Sequence, residues 1–226
     1  MFGFVSTSGK GPNFKRLDEI ARSTEARGRH AWGMAWIDSA GRMRTFKQTG
    51  PVSDALGLLR MAQDARLLVG HCRYATQGDP DNNLNNHPHP ADGGWIVHNG
   101  MIPFYRQVVR DYALHPVTDC DSELLGLLIE NAAGRLIDRC TAAVESVPYS
   151  PLVLLGLWKP GRLVAVRQGN PLHMGAAAEG LYLGSLPSGL PGRVQALPDN
   201  TALEFTQQGR QRSANLSAVD LFESSF

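Results

Sequence analysis

An α+β fold built on antiparallel strands is predicted by the way two apolar periods alternate along these 226 residues. In the first two-thirds, apolar residues at helical spacing (13–27, 121–133 and 135–146) are interleaved with alternating or continuous apolar strands. In the last third, PLVLLGLW, RLVAVRQ, LYLGS, RVQAL and TALEFT follow one another closely, divided by Gly, Pro, Asn and Asp, which is the pattern of an antiparallel sheet. No internal repeat or low-complexity linker interrupts the chain, so residues 1–226 read as a single domain.

The opening MFGFVSTSG reads as a short buried strand with Phe2 and Phe4 on one face and Gly3 and Val5 on the other. Leu17, Ile20, Ala21 and Thr24 then mark the buried side of a surface helix, with Arg27 in its last turn and Gly28 as its expected C-cap. AWGMAWID and RMRTFKQ flank the turn SAG as a hairpin. PVSDALGLLRMA reads as a short helix capped by Ser53, with Leu56 and Leu59 inward. ARLLVGHCRY is a nearly continuous apolar strand, and TQGDPDNNLNNHPHPADGG, almost devoid of apolar residues, reads as a long surface loop. WIVH is a strand ending in HNGM, PFYRQVVRDY has helical spacing, and DSELLGLLIENAA and RLIDRCTAAVES are two further helices divided at Gly134.

Composition excludes several classes. A net charge of +1 gives no electrostatic footprint for nucleic acid or a membrane surface. The longest apolar run, at 151–158, is too short to span a bilayer and too deep in the chain to be a signal peptide, so a cytoplasmic protein is expected. Three cysteines without CxxC spacing argue against a disulfide framework and a structural zinc site. Cys140 reads as core, Cys72 should point away from whatever Arg73 faces, and Cys120 lacks a neighbouring base in sequence.

Polar residues collect at the ends of strands and the start of a helix. Arg73 ends one strand, Asn99 and Gly100 end another, and Asp121 opens the helix DSELLGLLI. An arginine can hold a carboxylate through two parallel hydrogen bonds, and an aspartate can hold an ammonium. An Asn side chain beside a glycine N–H is a ready donor pair for an oxyanion. Together they describe a pocket for a zwitterionic amino acid with a carbonyl at its far end. A second reading is a metal hydrolase using His87, His89 and His98, since imidazoles at i, i+2 can share one face. Pro88 and Pro90 restrict that segment, and neither HExxH nor a second carboxylate cluster accompanies it.

HCRYATQGDPDNNLNNHPH, HNGMI and TDCDSELL, in this order and at these separations, resemble the successive signatures of the class II glutamine amidotransferases, the N-terminal-nucleophile glutaminase domain. EARGRHAWGMAW resembles that family's arginine-glycine segment. RQGNPLHMG resembles its glycine-x-proline-leucine turn with Asn170 as a variant, and LYLGSLPSGL resembles a strand ending in serine-aspartate, with Leu186 where the aspartate is usual. The resemblance implies a four-layer αββα sandwich of two antiparallel sheets flanked by helices. It implies a cysteine thiolate attacking the side-chain amide of L-glutamine with the freed α-amine as base, no cofactor and no metal, and ammonia passed to an acceptor. On it, Arg73 would bind the substrate α-carboxylate, Asp121 the α-ammonium, and Asn99 with Gly100 the oxyanion. Arg27 would support the N-terminus, and Thr76 and His87 would shape the glutamine loop.

The same resemblance puts Phe2 at the nucleophile position. A benzyl group has no nucleophilic atom, and a bulky second residue leaves Met1 in place, so no free α-amine arises at residue 2. The ring is expected to protrude into the amide end of the pocket. The chain is therefore read as inactive as written, leaving two readings open. One is an amidotransferase whose nucleophile was replaced, in the laboratory or during expression, its acceptor being a partner protein. The other is a natural pseudoenzyme that binds L-glutamine, L-glutamate or a related ligand, or regulates a partner.

Overall fold

The computed structural model describes residues 1–147, 150–207 and 211–216. Chain order is β1 (Phe2–Ser6), α1 (Phe14–Glu25), β2 (Ala31–Ile37), β3 (Met43–Thr49), β4 (Leu67–Arg73), β5 (His89–Ala91), β6 (Gly94–Gly100), α2 (Tyr105–Asp111), α3 (Glu123–Asn131) and α4 (Leu136–Glu145). β7 (Leu152–Trp158), β8 (Arg162–Gln168), β9 (His173–Ala176), β10 (Gly180–Gly184), β11 (Gln195–Ala196), β12 (Thr201–Thr206) and β13 (Gln211–Asn215) complete it. The strands form a seven-stranded sheet, β11-β9-β10-β1-β4-β2-β3, and a six-stranded sheet, β13-β12-β8-β7-β6-β5. Neighbouring strands pair antiparallel throughout.

Strand alternation builds three apolar layers and hence four structural ones. Val5, Leu67, Val69, Val97, Val153 and Leu155 face the other sheet. Phe2, Phe4, Trp32, Met34 and Leu68 meet Leu17, Ile20 and Ala21 of α1. On the far side, Ile96, Leu152, Leu154 and Val166 meet α3 and α4 through Leu124, Leu128, Ile137 and Val144. The αββα sandwich is thus set by which parity of each strand is apolar. Among the described residues no helix is long and apolar enough to cross a membrane.

Several local expectations are corrected. The five β-rich runs of the last third do not form one sheet: β7, β8 and β12 join one, while β10 and β11, with the unforeseen β9, extend the other beside β1. PVSDALGLLRMA forms two 3-10 segments, Val52–Asp54 and Leu56–Ala62, and Ser53 is no cap, its N–H and hydroxyl both being held by the Glu25 carboxylate at 2.7 and 3.1 Å. The α1 C-cap is Ala26, not Gly28. Gly28 is demanded by proximity instead. A Cβ there would lie 2.1 Å from the Tyr74 nitrogen and 2.3 Å from the Arg73 carbonyl carbon, so the chain after α1 is pressed against the end of β4. Gly28→Ala is accordingly expected to cost about 1–3 kcal/mol through overpacking. Thermal unfolding checks it, and an unchanged midpoint would contradict the close approach.

Candidate active site

A cavity opens where β4 and β6 end side by side in the two facing sheets. Its wall comprises Arg27, His71, Cys72, Arg73, Tyr74, Thr76, His87, His98, Asn99, Gly100, Cys120, Asp121 and Ser122. Each candidate binding residue read from the sequence is therefore brought to one place; Phe2 is not. Its ring is fully buried in the layer under α1. Phe2 pairs with Gly70 across β1 and β4, and a Cβ at Gly70 would lie 2.3 Å from Phe2 Cζ, so the ring lies over a position that only hydrogen leaves open. The expected protrusion into the pocket is corrected by strand alternation: residue 2 shares the face of Phe4, while Gly3 and Val5 face the other sheet. Cys72 shares the face of Phe2, its thiol 3.8 Å from the Ala21 carbonyl, and yet reaches the pocket wall.

Met1 is buried, its side chain between the sheets. Its α-amine donates to Ser185 Oγ at 3.2 Å, and its carbonyl accepts from the Ser185 N–H at 3.1 Å. Burial brings the amine down to about 5; nearby Cys72 opposes that and the Arg27 charge adds to it. Arg27 itself is exposed.

The polar groups differ in how far they are already engaged. Asn99 Nδ2 is buried without any partner, while the Asn99 carbonyl accepts from Asn170 Nδ2 at 3.0 Å. Asn170 also donates to the Pro151 carbonyl, so the GNPL turn buttresses the end of β6. Asp121 is 3% exposed, and one carboxylate oxygen accepts the Ile102 N–H at 2.7 Å, tying the HNGMI segment to the chain ahead of α3. It lies two residues ahead of α3 rather than opening it. His98 Nδ1 lies 2.9 Å from Ser122 Oγ, leaving Nε2 unpartnered. Arg73 is buried and tied to its own chain: Nη1 donates to Asn86 Oδ1 at 2.9 Å, and Nη2 donates to the Gln77 and Gly78 carbonyls.

The segment read as a surface loop is only half so. Asn85, Asn86, His87 and His89 are buried, and His89 begins β5. His71 and His87 stack with centroids 4.0 Å apart, and His89 meets His87 edge-on at 4.9 Å. Burial holds all three imidazoles below their usual range, His89 at about 3. The metal-hydrolase reading fails on this arrangement. His87 and His89 meet edge to face, His98 is turned to Ser122, and among the described residues no group of three His, Cys, Asp or Glu is placed to hold a metal ion. Cys140 is core as expected, and burial pushes its thiol up.

An unpartnered amide donor, a carboxylate and a guanidinium around a small cavity suit an amino-acid amide, and the two facing antiparallel sheets between helical layers are the sandwich of N-terminal-nucleophile amidotransferases. The sequence model of the class-II glutamine amidotransferases matches residues 13–147, more than half of the chain, and the chain belongs to that family. It is 30% identical over 193 residues to a glutamine–fructose-6-phosphate aminotransferase of Clostridium acetobutylicum, covering 82% of this chain and 31% of that protein. The enzyme of the same name from Photorhabdus laumondii is 26% identical over 98% of this chain and 37% of its own length. The chain thus spans about a third of these relatives. Among solved structures, a glutamine phosphoribosylpyrophosphate amidotransferase from B. subtilis superposes with a TM-score of 0.77 at 17% identity, over 96% of this chain and 49% of that one. A glutamine aminotransferase class-II domain protein from Silicibacter pomeroyi superposes with a TM-score of 0.65 at 16% identity, over 96% of this chain and 99% of that one. At these identities the two structures speak for the fold.

Proposed function

We propose that this chain is a single, cytoplasmic glutaminase unit whose pocket takes L-glutamine or L-glutamate, and that as written it releases no ammonia because residue 2 is Phe. In relatives with a nucleophile the ammonia would pass to an acceptor; for this chain the acceptor would be a partner protein. The observation that carries the reading is the buried, unpartnered Asn99 Nδ2 at the cavity wall. A buried donor without an acceptor costs about 1–3 kcal/mol, and a ligand carbonyl at that point removes the cost. Beside it, the Gly100 N–H is the second donor for the same oxygen, Asp121 faces the α-ammonium, and Thr76 and Tyr74 border the entrance. Three free, buried cysteines fit a reducing compartment.

The pseudoenzyme reading has one specific support. Phe2 is not an intruder in the fold: its ring is wholly buried over Gly70 among Leu17, Ile20 and Leu68. Calorimetric titration with L-glutamine and L-glutamate tests ligand binding itself. Saturable heats are expected, weakened at least tenfold in Asp121→Asn, which lacks the charge for the ammonium. Absence of heat from a folded chain, or heats indifferent to Asp121, would rule the pocket out as an amino-acid site.

A further inference from the structure

We propose that Asn86 is a positioning residue that decides how much of Arg73 a ligand carboxylate can reach. The proposal rests on the amino-acid reading of the pocket and adds a control that this reading does not contain. A guanidinium offers a carboxylate two two-pronged edges, Nε with Nη2 and Nη1 with Nη2, and both need Nη2. In this chain Nη2 donates to both the Gln77 and the Gly78 carbonyl. Asn86 holds that arrangement from the other side. Fully buried, it takes Nη1 of Arg73 on Oδ1 at 2.9 Å and spends both Nδ2 hydrogens on its own segment, to the Pro80 carbonyl at 2.7 Å and Asn83 Oδ1 at 3.0 Å.

The segment 74–86 and Arg73 therefore satisfy each other, and no two-pronged edge is free. A carboxylate forms the stronger, charge-assisted bond and can displace two neutral carbonyls, but it must first break this set. The arrangement sets a threshold on affinity rather than a block. Removing the Asn86 side chain takes one acceptor from Arg73 and two tethers from the segment, which lowers that threshold.

Asn86→Ala is the test, with L-glutamate and propionate, a carboxylate without an ammonium, as probes. Expected is a gain of about tenfold in affinity for both over the unmodified chain. In the unmodified chain without ligand, the Arg73 guanidinium should show separate, slowly exchanging Nη hydrogen signals by NMR, which merge in Asn86→Ala. The signals of the unmodified chain need no folded variant. Tighter propionate binding in Asn86→Ala with no glutamate binding by any chain would uphold the role of Asn86 and overturn the glutamine reading. Equal or weaker binding of both probes by a folded Asn86→Ala, or averaged Nη signals in the unmodified chain, would overturn the proposal.

Discussion

Phe2→Cys, expressed from its Met1, is expected to hydrolyse L-glutamine, where the unmodified chain is expected to form no glutamate. Cysteine is small enough for Met1 to be excised, which creates a thiol and a free α-amine at once, and the amine can serve as the base. The geometry favours this outcome. Residue 2 shares a sheet face and an apolar cluster with Cys72, and Cys72 already forms part of the cavity wall, so removing the ring extends the cavity toward the new thiol. Trading a buried ring for a thiol also empties space over Gly70, and the variant should lose about 3 kcal/mol of stability. Pairing Phe2→Cys with Asn99→Ala should lower the rate about 100-fold, the usual cost of one oxyanion donor. Glutamate formation, with mass spectrometry for the loss of Met1, is the measurement. A folded variant without Met1 that binds glutamine and forms no glutamate would make the chain a pseudoenzyme by descent.

The second large effect is acid sensitivity. His71, His87 and His89 are held neutral by burial in the fold, while in the unfolded chain each titrates near 6.5. Below that value the unfolded state binds more protons than the folded one, so stability is lost as pH falls, until the folded imidazoles themselves protonate, for His89 near 3. At pH 5 His89 contributes a loss of about 2 kcal/mol, and the lowered His71 and His87 act in the same direction. The neighbouring charges act in the same direction: Arg73 disfavours protonation of all three, His98 likewise, and Lys47 opposes it at His89. Denaturant unfolding at pH 7.5, 6 and 5 checks this, with a net uptake of protons on unfolding expected near pH 5. A midpoint that stays level from 7.5 to 5 would mean that the stack is not neutral in the fold.

What the sequence disclosed and what it hid follow from the same physics. Periodicity reports on apolar contacts, so β1 with its alternation, the buried stripe of α1, the β2–β3 hairpin, and α3 and α4 were all readable. That Arg73, Asn99 and Asp121 line one cavity was foreseeable because strand ends and helix starts are where polar groups converge. Polar burial has no such period. NNLNNHPHP looks like solvent-facing loop, yet Asn85 and Asn86 are buried because they bond to Asp79, Pro80 and Arg73, and His87 and His89 because they pack on imidazole. Asn170, which buttresses Asn99, reads in the sequence only as a variant residue of a turn, and nothing local shows that its amide reaches the end of β6. The seating of Phe2 depends on Gly70, 68 positions away, and is settled by pairing between β1 and β4 rather than by the residues around it.

The claim on which the rest depends is that the cavity between β4 and β6 is a glutamine site lacking only its nucleophile. A crystal structure of the chain soaked with L-glutamate tests it most directly. The ligand should lie with its ammonium on Asp121 and a side-chain carboxyl oxygen between Asn99 Nδ2 and the Gly100 N–H, with the Phe2 ring still seated over Gly70. Glutamate bound elsewhere, or in this cavity with Asn99 Nδ2 left unpartnered, would contradict it.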